Sequence, residues 1–132
     1  MRIVKDYPPN YSLLQAVFPL RPNNLYPWGD ILYNPSGLDI PEDIMIHEEV
    51  HKRQQEDDPQ AWWNKYIQDK RFRLEQELQA YFLQLQWVKE RGNNKVYKEC
   101  LNEMAEQLST MYSLDITKSN AETLIRNYGK ER

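Results

Sequence analysis

Cysteine is nearly absent from this 132-residue chain: Cys100 stands alone, so no disulfide can form within it. A lone thiol suits a reducing compartment. Histidine is almost as scarce, with two residues. No run approaches the ~20 apolar residues of a membrane span. The opening Met1-Arg2-Ile3-Val4-Lys5-Asp6 puts charge where a signal peptide needs an apolar stretch. Together these absences make a cytoplasmic protein the expectation. Neither sign of charge dominates, and a net charge of −3 offers no electrostatic case for nucleic acid or an anionic membrane as main partner. Internal repeats and low-complexity tracts are also missing.

What is present fits a folded chain. Charged residues make up 28% and hydrophobic residues 40%, and the length favours one domain over residues 1–132 with a real core. Both histidines fall in a single stretch, His47-Glu48-Glu49-Val50-His51. On an α-helix, residues i and i+4 lie one turn apart on one face, so both imidazoles can reach one metal ion. Glu48 is rotated by roughly 100° from His47, beside such a metal rather than on it. There it can take a proton from a metal-bound water. This is the His-Glu-x-x-His pattern of zinc metallopeptidases, whose mechanism needs these side chains at this spacing.

The flanking segments predict a mostly helical α+β fold, with a small N-terminal sheet or hairpin packed on the metal helix and three or four further helices. Arg2 to Lys5 reads as a short strand. Asn10 or Ser12 caps a short helix through Val17, closed by Pro19. Pro22-Asn23-Asn24 reads as a turn. Asp30 to Asn34 reads as a strand, either in the core or as an edge that aligns an extended peptide by strand addition. Pro41 suits the first turn of the metal helix, with Glu42 and Asp43 at its positive end, and that helix runs to about Gln55 or Glu56. Ile44, Val50, His51 and Gln54 lie within about 60° of His47 on its wheel, so the ligand face merges with the buried face. Asp57-Asp58-Pro59 starts a helix through about Ile67 whose Trp62, Trp63 and Tyr66 read as core. A long helix covers about Lys70 to Arg91 with the stripe Leu74, Leu78, Tyr81, Phe82, Leu85 and Val88; Trp87 and Ala80 lie opposite, which suggests burial on two faces. Another runs from about Lys95 to Tyr112, with Cys100 on its apolar stripe as a buried small hydrophobe. Ser119-Asn120-Ala121-Glu122 forms a capping box for a last helix to Tyr128, stopped by Gly129.

A catalytic zinc usually takes three protein ligands and keeps a fourth position for water. With no third histidine, the third ligand must be a carboxylate. On the long helix Glu75 and Glu77 flank the apolar stripe on opposite sides, each roughly 80° from its centre, so helical geometry leaves both open.

The constellation resembles the small zinc metallopeptidases of the gluzincin kind, including peptidases of bacteria and phages. In those families the His-Glu-x-x-His helix is followed by a helix carrying Glu-x-x-Ala, matched here by Glu77-Leu78-Gln79-Ala80. The resemblance spans roughly residues 28 to 85 and implies one Zn2+ per chain on His47, His51 and Glu77. Tyr81 departs from it, standing where relatives often carry an Asp or Asn that hydrogen-bonds behind the ligands. Gly29-Asp30-Ile31-Leu32-Tyr33-Asn34-Pro35 looks like the strand such proteins place before the active-site helix, which strengthens the edge-strand reading. The implied activity is hydrolysis of peptide bonds in a protein or peptide, with Glu48 as general base on zinc-bound water. Tyr81, Tyr66 and Tyr33 are the candidate oxyanion donors, with Tyr81 taken as the catalytic one. The rival is a zinc-binding structural or interaction module without turnover, such as a phage or regulatory component.

Overall fold

Capping residues and apolar periodicity divide the chain as expected over most of its length. The computed structural model describes residues 1–130 and is mostly helical α+β, with a small N-terminal three-stranded mixed sheet packed on six helices. The strands are β1 (Arg2–Val4), β2 (Tyr26–Trp28) and β3 (Ile31–Tyr33). The helices are α1 (Tyr11–Val17), α2 (Glu42–Gln55), α3 (Pro59–Gln68), α4 (Lys70–Arg91), α5 (Asn94–Thr110) and α6 (Lys118–Asn127). Asp58, Asp69 and Asn93 cap α3, α4 and α5, each accepting at 3.0 Å the N–H three residues on. The α6 cap differs from the expected box. Thr117, held extended, accepts the Asn120 N–H at 3.1 Å, which puts Ser119 already inside the helix.

Sheet order corrects the edge-strand expectation. β3 is the central strand, parallel to β1 with Ile3 opposite Leu32, and antiparallel to β2 with Pro27 opposite Leu32. Both its edges are paired, so it has none to offer an extended peptide. Sequence reasoning misses β2 because a proline inside a run argues against a strand. Pro27 is tolerated because β2 is itself an edge and its central residue faces outward, where no ladder partner needs the missing N–H. The outward Pro27 carbonyl accepts from Gln55 Nε2 and Trp63 Nε1, both at 2.8 Å. Gly29 donates its N–H to Gln55 Oε1 at 2.7 Å. At φ +58 it opens the two-residue Gly29-Asp30 hairpin loop, a conformation that suits glycine. The outer edge of β2 is thereby tied down onto α2 and α3.

α4 is covered on two faces, as the pattern predicts. Leu78, Tyr81 and Leu85 pack with Leu101, Met104, Leu108 and Ile125 of α5 and α6. On its other side α4 runs along α2, its most extensive packing partner. Ala80, fully buried, shares the Glu77 and Gln84 face by helical spacing. A second cluster joins Trp62, Trp63 and Tyr66 to Leu14, Phe18 and Tyr26, so the aromatics of α3 are core as expected. Among the described residues no helix is long and apolar enough to cross a membrane.

Candidate metal centre

The site forms where α2 lies against α4. Helical spacing puts His47 and His51 on the buried face of α2, at 6% and 3% exposure. Their Nε2 atoms stand 3.2 Å apart. Glu77, 2% exposed, projects from α4 between them, with Oε1 at 3.1 Å from His47 Nε2 and 3.2 Å from His51 Nε2. Among the described residues this is the one group of His, Cys, Asp or Glu side chains able to hold a metal ion. Of the two carboxylates left open by the wheel, Glu77 lies in this group, while Glu75 is half-buried and outside it. Two imidazole nitrogens and one carboxylate oxygen are a donor set that zinc accepts, and that cobalt, nickel or manganese can also use.

What holds these donors is largely absent from the sequence pattern. Tyr66 on α3 donates its hydroxyl to Glu77 Oε2 at 2.5 Å, so Oε1 is the carboxylate oxygen that faces the imidazoles. Behind His47, Nδ1 meets Gln84 Oε1 at 3.0 Å; behind His51, Nδ1 meets Gln54 Oε1 at 2.7 Å. Tyr81 occupies neither place. Its ring packs edge-on against His47 with centroids 4.4 Å apart. Its hydroxyl lies 3.0 Å from Gln107 Oε1 and 2.7 Å from the Tyr112 hydroxyl. Of the other tyrosines considered as donors, the Tyr66 hydroxyl is committed to Glu77, and Tyr33 does not line the site cavity. Tyr112, just past the end of α5, does line it.

Electrostatics follow from burying this cluster. Burial drives the Glu48 carboxyl above the usual carboxylate range, partly offset by His47 and His51 and reinforced by Glu77. Burial also opposes charge on Glu77, but the charge of His51 and the hydrogen bonds from both imidazoles outweigh it and hold Glu77 well below its ordinary value. Against the downward pull of burial, the charge and hydrogen bond of Glu77 push His51 up to about 9. Tyr81 and Tyr112 are raised well above 10 by burial first and then by Glu77, so both hydroxyls stay protonated.

Glu48 is 8% exposed, and its Oε2 is buried without a hydrogen-bond partner. It lines a cavity of about 240 Å³ together with the triad. Residues of α1, the 18–25 loop and α5 also line this cavity, with Arg21, Asn23 and Glu103 exposed along it. Cys100 also reaches it. That thiol is half-buried rather than fully buried, and burial raises its pKa, which suits an inert side chain. No family model matches the chain, and no curated protein or solved structure matches it significantly.

Proposed function

We propose that this protein is a zinc-dependent metallopeptidase of the gluzincin kind its motifs resemble, hydrolysing peptide bonds in a protein or peptide. One observation carries the reading: three buried donors converge beside a buried carboxylate whose Oε2 has no partner, all on the wall of one cavity. A structural zinc is closed by four protein ligands, whereas a catalytic zinc keeps a position open, and three is the number among the described residues. His47, His51 and Glu77 would hold the ion. Zinc so held supplies a water of lowered pKa and polarises a scissile carbonyl.

The remaining work falls to the chain's own side chains. Glu48 Oε2 accepts the proton of the attacking water and hands it to the leaving amine, a role that a carboxyl raised by burial suits. The Tyr81 hydroxyl, its pKa raised and so protonated, donates to Gln107 Oε1 and would turn that proton from Gln107 to the oxyanion, with Tyr112 donating to it from behind. The substrate enters across the mouth between the 18–25 loop and α5, because the outer edge of β2 beside the site is tied to Gln55 and Trp63. In the deciding experiment, Glu48→Gln keeps about one zinc per chain while peptide hydrolysis drops roughly 10²- to 10⁴-fold. Turnover retained in that variant would sink the role of Glu48. Zinc uptake by the unsubstituted protein without cleavage of a mixed peptide library would instead favour the silent zinc-binding module.

A further inference from the structure

We infer that Gln84 and Gln54 are the positioning residues of the metal centre, each locking one ligand histidine as its Nδ1–H tautomer through an uncharged amide. The inference rests on the reading that the triad takes a metal. Each Nδ1 faces an amide oxygen, at 3.0 Å for His47 and 2.7 Å for His51. An amide oxygen only accepts, so each Nδ1 must donate; Nε2 is then the nitrogen that gives its lone pair to a metal, once any proton it shares with Glu77 has left.

Neither amide is free to turn round. Gln84 Nε2 donates at 2.8 Å to Asp43 Oδ2 on the first turn of α2. Gln54 Nε2 donates at 3.0 Å to the Gln76 backbone carbonyl and at 2.8 Å to Gln79 Oε1. Flipping either amide would set its NH2 against the ring N–H and its oxygen against an acceptor. Both relays cross between α2 and α4, so the register of these two helices sets both ring tautomers.

The chemical consequence lies in the charge. A carboxylate behind a ligand histidine makes the ring more basic; an amide orients it without adding charge. Glu77 is then the one anion among the three donors and the two amides behind them, and Asp43 acts on His47 only through the polarised amide of Gln84.

The test uses the full chain loaded with zinc. Nitrogen NMR of the imidazoles is expected to show both rings protonated at Nδ1 and metal-bound at Nε2. Gln84→Met and Gln54→Met keep length but lose the acceptor; each is expected to weaken zinc binding roughly 10- to 100-fold in chelator competition. Combining Gln84→Glu with Asp43→Asn reverses carboxylate and amide along the relay and should restore most of that affinity. A ring bound through Nδ1, or methionine variants that hold zinc as tightly as the unsubstituted chain, would overturn the inference. The NMR result on the unsubstituted protein decides even where a variant fails to fold. A chain that takes up no zinc, or keeps it after His47→Ala, overturns the metal reading itself, a separate and recognisable failure.

Discussion

At the scale of single residues, Tyr66 shows how one hydroxyl can aim a ligand. Its donation to Glu77 Oε2 leaves Oε1 toward the imidazoles, while its ring stacks on Trp62 at 4.8 Å. Tyr66→Phe keeps the ring and removes the donor. Zinc affinity is expected to fall roughly 10- to 100-fold, as for other partners behind metal ligands, and chelator competition measures it. An unchanged Kd would mean that packing alone aims Glu77. His51 gives a second expectation. With its pKa pushed up to about 9 by Glu77, it carries a proton at neutral pH that must leave when a metal binds. Apparent zinc affinity should therefore climb roughly tenfold per pH unit across the neutral range and level off near pH 9. Titration calorimetry in buffers of different ionisation heat would count the released proton; a flat profile between pH 7 and 9 would contradict this.

At the scale of elements, the end of α2 carries visible strain. Glu56 sits at φ 53 and ψ −125, a backbone region that glycine tolerates and L side chains rarely adopt. It is held there because Asp58 N–H returns to the Gln55 carbonyl at 3.0 Å, turning the chain directly into the α3 cap. Gln55 must keep its place, since its side chain ties β2 to α2 through Pro27 and Gly29. Glu56→Gly is expected to stabilise the protein by about 1 kcal/mol, relief of strain exceeding the added chain entropy. Urea denaturation would show it as a higher midpoint at an unchanged slope. A lower midpoint would mean that the strain is small.

At the scale of the molecule, α4 joins the helical core to the metal centre. One face closes the helical core with α5 and α6, and the other delivers Glu77 and Gln84 to the histidines of α2. A bound metal would therefore cross-link α2 to α4. Zinc at 100 times its Kd is expected to stabilise the fold by about 2.7 kcal/mol, seen as a raised thermal midpoint that a chelator reverses. Glu75→Ala should keep that shift and Glu77→Ala should lose most of it. Equal loss in both would return the third ligand to an open question.

Much of this was legible in the residues themselves because helix geometry is local. The 3.6-residue period, the Asp58-Pro59 helix start and the His47/His51 spacing report on neighbours one turn away, and they determine the helices and the pairing of imidazoles on one face. The remainder needed the tertiary structure. Glu77 and Glu75 are equivalent on their own wheel, and only the rotation of α4 against α2 turns one of them inward. Gln84 is an ordinary residue until packing brings it 3.0 Å from a histidine 37 positions away. β2 reads as a broken strand until α2 and α3 supply donors for the Pro27 carbonyl. These are contacts between segments distant in sequence, and no local pattern records them.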